Sequence, residues 1–442
     1  MKKYLTLCVA AATLASCSKD WTEPDNQGRT ETFENVALSD LKEKRDQFKW
    51  VAEAERIGES ELARQVYFEQ LREYKANAWL NTGEAGGQTP FFYFWYSSDA
   101  WVAEPGIAKS WLQSLPDSLT AISMWGGLAM RPSTITENQK KDLEIFHEKG
   151  GTVLMCWQTS GPGLGLPKSL DGTLNGWDDF RAKYPFETEE AKWSEYYARD
   201  LARYIIALNF DGYDVDWETC GDHGTVTREG QSLMVSTNGY ENISKFVKEI
   251  AKYFGPFVSG EERKKNLEAL FNPDTEGFHP KEREYIDDFK PHLPANWLEK
   301  RYYLVADIPC GVAPIFGDNF ALYFEKHFMQ DYTVSGVGTH IRQLGGKYFN
   351  STSANYQSGG YNVIPGKARA VANRQIWGFG AYHGQTDFDN THDTDSFKNY
   401  LRRNNLTRKY NTYAWTREAM RIADPRPYYS NFNEMDQVII TP

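Results

Sequence analysis

Residues 211–218 read Asp211-Gly212-Tyr213-Asp214-Val215-Asp216-Trp217-Glu218. A β-strand turns successive side chains to opposite faces. Gly212, Asp214, Asp216 and Glu218 therefore share one face, and Tyr213, Val215 and Trp217 share the other. The aromatic and β-branched face needs cover, which argues against a solvated edge strand. The opposite face then points three acids toward an interior that branched apolar residues normally fill. Ionised together in a dry interior, they would cost several kcal/mol. Carboxylates this close titrate as a set, with some protons held well above the ordinary range. Glu218 comes last and so belongs at the C-terminal end of the strand. A protonated carboxylic acid there is a candidate general acid. No other strand-end carboxylate stands out as an attacking partner for it.

Seven further runs resemble this one. They are Phe91–Tyr96, Ala121–Trp125, Thr152–Trp157, Tyr302–Ala306, Phe328–Val334, Tyr348–Asn355 and Ile376–Tyr382. Helical patterns lie between them: Thr136–Lys149, opened by a Thr136/Gln139 capping box, then Glu190–Leu208, Gly239–Phe254, Phe320–Lys326 and Asn411–Ala423. Near-continuous apolar strands alternating with helices mean a parallel sheet covered on both faces. Eight such units predict an α/β fold, a (β/α)8 TIM barrel. A doubly wound sheet is the alternative, but no Gly-rich phosphate turn follows the first strand. The stretch 256–297 reads as a polar, helical insertion between strands four and five.

The N-terminus reads as an address. Lys2 and Lys3 precede a short apolar run, Tyr4–Ala15, and then Leu14-Ala15-Ser16-Cys17. The last four residues resemble a bacterial lipobox, whose Cys17 would be lipidated and become the new N-terminus. Residues 1–16 are then a signal peptide and 17–37 a polar tether. Residues 38–87 form a helical segment with no proline from Ser39 to Leu80, and 88–430 the barrel. The acidic Ser18–Glu23 resembles the surface-export signals of Bacteroidetes lipoproteins. Together these predict a lipid-anchored outer-membrane protein on the cell surface.

The chain has 442 residues and a formal charge of −11. An acidic chain repels phosphate backbones, so no nucleic-acid partner is expected. Beyond Cys8 and Cys17 the cysteines are Cys156, Cys220 and Cys310, which make neither a disulfide framework nor a zinc spacing. No metal and no cofactor are expected. Asp387–Asp393 lacks the glycine and terminal glutamate of a calcium loop and reads as a solvated turn. The 14 Trp, 26 Tyr and 25 Phe serve a core, and they also stack on sugar faces. Trp95, Tyr96, Trp125 and Trp157 near the ends of strands one to three are the candidates for substrate contact, with core packing as the competing reading.

Asp211, Asp214, Asp216 and Glu218 match the DxxDxDxE signature of glycoside hydrolase family 18. Gln330-Asp331-Tyr332 resembles the Q-x-Y of that family's endo-β-N-acetylglucosaminidases. The runs Trp377–Tyr382 and Tyr413–Ala419 resemble the ending of its Bacteroidetes lipoprotein members, so the resemblance covers roughly residues 90–425. One departure is at the third strand, where many chitinases carry SxGG and this chain has Cys156-Trp157-Gln158-Thr159-Ser160-Gly161-Pro162.

The resemblance implies a retaining, substrate-assisted hydrolysis of the GlcNAc-β1,4-GlcNAc core of N-linked glycans or glycoproteins, an exception to the two-carboxylate scheme. It gives Glu218 the acid/base role. Asp216 holds the acetamide N–H, Asp214 shares a proton with Asp216 from deeper in the barrel, and Tyr332 holds the acetamide oxygen. Gln330, Trp125 and Trp157 become substrate-binding candidates. A packed barrel tyrosine is the competing reading of Tyr332. For the whole chain, a chitinase-like hydrolase and a surface glycan-binding lipoprotein without catalysis are the alternatives. Retention of Glu218 favours the enzyme. The chain is expected to act as a monomer.

Overall fold

The computed structural model describes residues 54–81, 89–126, 130–158, 166–167, 176–217, 241–307, 320–332, 351–408 and 410–424. Its eight strands are β1 Phe91–Ser97, β2 Ala121–Trp125, β3 Thr152–Gln158, β4 Gly212–Asp216, β5 Tyr303–Asp307, β6 Lys326–His327, β7 Thr352–Asn355 and β8 Gly378–Tyr382. They form one parallel sheet in the order β6-β5-β4-β3-β2-β1-β8-β7. This is the curled sheet of a (β/α)8 barrel. The helices around it are α1 Ala54–Trp79, α2 Glu137–Glu148, α3 Gly176–Lys183, α4 Trp193–Ala207, α5 Glu241–Ile250, α6 Gly260–Leu270, α7 Pro280–Phe289, α8 Ile364–Ala372, α9 Asp395–Arg403 and α10 Ala414–Ala423.

Period-two alternation makes two cores. Phe91, Tyr93, Trp95, Leu154, Cys156, Val305, Phe328 and Trp377 fill the inside. Phe92, Phe94, Ile122, Met124, Val153, Met155, Tyr213 and Val215 face the helices. The Thr136/Gln139 box opens α2 as its spacing predicts, each residue bonding the other's backbone N–H. The insertion is helical, as α6 and α7, and is pinned to α4 by a buried ion network. There Arg199 grips Glu282 through two donors at 2.7 and 2.8 Å, and Arg203 reaches both Glu282 and Asp200. Helix α8 is not among the expected helices, and its second and third residues are Pro365 and Gly366. Proline is tolerated in a first turn, where its missing N–H has no partner to lose.

Three expectations need correcting. The sixth strand does not begin at Phe328: it pairs through Lys326 and His327, and Phe328 N–H still bonds the Ala306 carbonyl. The Met329 carbonyl accepts the N–H of Asp331, a three-residue turn that bends the chain out of extension. The helix expected to reach Lys326 lasts one turn, Phe320–Tyr323. Asp387 is not solvated: it is fully buried and accepts both the N–H and the hydroxyl of Thr416.

The seam between β6 and β7 is closed by side chains. Ser351 accepts the Met329 N–H at 3.0 Å and donates to the His327 carbonyl at 3.1 Å. Ser353 donates to the Met329 carbonyl at 2.6 Å. Lys367 of α8, buried without exposure, donates to the Asp331 carbonyl and to Thr352 Oγ1. The Met329 N–H and the carbonyls of His327, Met329 and Asp331 thereby find side-chain partners among the described residues.

Helix α1 is a plug and not an appendage. Its last residue, Trp79, enters the N-terminal end of the barrel, stacks on Tyr303 at 3.9 Å, meets Phe91 edge-on at 4.7 Å and donates to Thr152 Oγ1. Asn81 follows, bonding the carbonyls of Thr89 and Trp377 and accepting Lys326 Nζ on its own carbonyl. Trp79→Ala should lower the unfolding free energy by about 3–5 kcal/mol, read as a lower urea midpoint. An unchanged midpoint would show that the plug is dispensable.

Candidate active site

The acidic face of β4 points inward, and strand register sets the height of each residue. Gly212 has φ +148°, and a Cβ there would lie 1.9 Å from the Tyr303 carbonyl oxygen, so only glycine lets β4 meet β5. Two residues on, Asp214 stands level with Cys156 of β3 and Val305 of β5. Asp216 stands level with Gln158 and Asp307.

Asp214 is the best-held acid. Its Oδ2 accepts Trp95 Nε1–H at 3.1 Å and the Ser123 hydroxyl at 2.7 Å, while Oδ1 is buried with no hydrogen bond. Burial pushes its carboxyl up to about 7, against the pull of hydrogen bonds from Ser123, Trp95 and Cys156. Near neutral pH it therefore carries a proton much of the time. Asp216 is also buried, and its Oδ1 takes a long contact of 3.5 Å from Gln330 Nε2. Asp211 is different. It sits outside the column and accepts His147 Nε2, the Val153 N–H and Lys300 Nζ at 2.6 to 2.9 Å. Burial alone would raise its carboxyl, but His147 and Lys300 hold it well below the ordinary range. It fastens the strand ends and does not share the inward face of Asp214 and Asp216.

The structure adds Asp307, which the sequence reading passed over. It ends β5, is 1% exposed and stands beside Asp216. The fifth strand, expected to end at Ala306, runs one residue further to this carboxylate. Period two through Tyr303, Val305 and Asp307 would have found it.

The aromatic candidates separate cleanly. Trp95 is interior and bonded to Asp214. Tyr96 faces the helices and is fully buried, so it touches no ligand in the pocket. Trp125 and Trp157 are half-buried and stacked at 5.6 Å, with Tyr382 edge-on to Trp125 at 5.9 Å. Tyr332 lies 6.1 Å from Tyr382 and 6.2 Å from Trp95. Trp125, Tyr382, Tyr332 and Trp95 are thus linked ring to ring, and Trp95 carries the chain of rings to Asp214. Gln330 and Tyr332 hang on the bend after β6, which Ser353 and Lys367 hold in place. Glu218 and Cys17 lie outside the described residues. The strand is described to Trp217, whose N–H bonds the Asp307 carbonyl at 2.9 Å.

No protein-family model matches the chain, and no curated protein matches it. Solved structures do. A selenomethionine variant of BT1044 is 19% identical, with 83% of this chain and 94% of that one covered and a TM-score of 0.50. An endo-β-N-acetylglucosaminidase from Cordyceps militaris is 13% identical, covering 81% and 95% at a TM-score of 0.45. A family 18 chitinase from Pseudoalteromonas aurantia is 13% identical, covering 71% and 99% at 0.34. The first of these likenesses speaks for the barrel fold.

The Asp214 carboxyl is raised from an unfolded value near 4 to about 7 in the native state. The native chain therefore holds a proton that the unfolded chain releases. The stability this contributes is fully present below about pH 4 and is lost as pH rises through about 7. Asp214→Asn keeps the shape and cannot titrate. Between these limits its urea midpoint should fall less than that of the wild type. Parallel pH curves for the two chains would contradict the assignment.

Proposed function

We propose that the protein is a retaining endo-β-N-acetylglucosaminidase that hydrolyses the GlcNAc-β1,4-GlcNAc core of N-linked glycans. The observation that carries this reading is the inward acidic column of β4. Asp214 is deep and part-protonated, Asp216 is above it, and Glu218 follows in the chain within the DxxDxDxE pattern. The half-buried rings of Trp125, Tyr332 and Tyr382 beside the column suit sugar faces.

In this reading Glu218 protonates the departing glycosidic oxygen while the substrate's 2-acetamido oxygen attacks its own anomeric carbon. An internal nucleophile needs orientation above all, which contributes several kcal/mol. Asp216 accepts the acetamide N–H and balances the charge that develops on the oxazolinium ring. Asp214, desolvated, holds the proton that lets two stacked acids coexist. Tyr332 steadies the acetamide oxygen, and Gln330 keeps Asp216 in place. Glu218 then takes a proton from water, which opens the ring from the face the leaving group vacated.

Incubation with high-mannose, hybrid and complex glycoproteins, followed by mass spectrometry of released glycans, tests the activity. Glu218→Gln should lower kcat by about 10²- to 10⁴-fold or more with glycan binding retained. Near-normal turnover in that variant would remove Glu218 from its role. A trapped glycosyl ester on Asp307 would replace the substrate-assisted route with a carboxylate nucleophile.

We propose further that Cys17 carries a lipid anchor, on the strength of Leu14–Cys17. No helix among the described residues is long and apolar enough to cross a membrane. In the host the protein should partition with membranes and Cys17→Ala should not. A wild-type chain found in the soluble fraction would contradict this.

A further inference from the structure

We propose that Cys156, Asp216 and Asp307 form a site for one thiophilic divalent cation of the zinc or cadmium class, and that its occupancy shuts the acidic pocket. The three residues come from the adjacent strands β3, β4 and β5, and all are buried, at 0%, 2% and 1% exposure. One ligand atom from each lies within 4.8 Å of the others. Four-coordinate zinc takes a thiolate at about 2.3 Å and carboxylate oxygens at about 2.0–2.2 Å, which sets ligand atoms roughly 3.3–3.7 Å apart. A contraction of about 1 Å shared by three side chains reaches that geometry.

An independent feature points the same way. Asp214 is fully buried and level with Cys156, beside its thiol, yet Asp214 Oδ1 accepts no hydrogen bond. A cation, or a water bound to it, would supply the partner that this buried oxygen lacks. Thiolate with carboxylates favours zinc and cadmium over magnesium and calcium, which prefer oxygen alone. Binding breaks the S–H bond of Cys156 heterolytically: the proton passes to water, the sulfur pair bonds the metal, and nothing is oxidised. Three protein ligands leave a fourth position open. Asp216, however, is then committed to the metal and withdrawn from the substrate, so the ion acts as a reversible inhibitor.

The test titrates chelator-treated, full-length protein with CdCl2 and follows the ultraviolet thiolate-to-cadmium band. The wild type should saturate near one equivalent, with ZnCl2 competing and MgCl2 not. Cys156→Ala should lose the band, while Cys8, Cys17, Cys220 and Cys310 are common to both chains and cancel. Asp307→Asn keeps the thiol and should bind at least about tenfold more weakly. Absence of the band in the wild type, an unchanged band in Cys156→Ala, or unchanged affinity in folded Asp307→Asn overturns the site. If Cys156→Ala fails to fold, Asp307→Asn decides. Glycan release should stop with zinc and return with chelator, and release that persists on the zinc-loaded chain overturns the inhibition. The inhibition arm rests on the proposed activity and the binding arm does not: a metal-free chain that releases no glycan defeats the former only.

Discussion

The desolvation of Asp214 is the constraint around which the barrel interior is arranged. A carboxyl with no exposure can persist only if it is protonated or well bonded. Here both solutions operate. Trp95 from β1, Ser123 from β2 and Cys156 from β3 converge on a group carried by β4. Four consecutive strands are thereby committed to one side chain, and their register follows from it. The polar residues that replace branched aliphatics in this layer form a connected set, which explains how a barrel can tolerate them in its core.

The opposite wall solves a different problem. The ladder at β6 is two residues long, and the bend after it carries Gln330 and Tyr332 away from regular pairing. Hydroxyls of Ser351 and Ser353 and the buried ammonium of Lys367 supply the missing bonds. A regular strand would fix Tyr332 by pairing. Here its placement depends on side chains from β7 and α8.

Much of this was legible in the sequence, and the failures have a common cause. Alternation in residues 211–218 placed Asp214 and Asp216 inside and Tyr213 and Val215 outside, because period two is a local property of any strand. The Thr136/Gln139 box was legible for the same reason. Lys326 was read as a helix end and the strand as starting at Phe328; polarity usually marks solvent, whereas Lys326 is buried against Trp377 and bonded to Asn81, 245 residues earlier in the chain. Asp387 misled in the same way, since its partner Thr416 is 29 residues distant. Asp307 was hidden by standing alone at the end of an apolar run. Local patterns report faces and caps, whereas a buried charge is explained only by what the fold brings to it.

The plug at Trp79 bears on how the molecule assembles. Its partners are Phe91, Thr152 and Tyr303, so its pocket is complete only when β1 through β5 have joined the sheet. Helix α1 is synthesised before the strands it meets and must wait for more than 200 residues of later chain before it can dock. Such non-local closure is slow, because loop entropy is spent before contacts reward it. Until then the open end of the barrel and the indole of Trp79 are both uncovered.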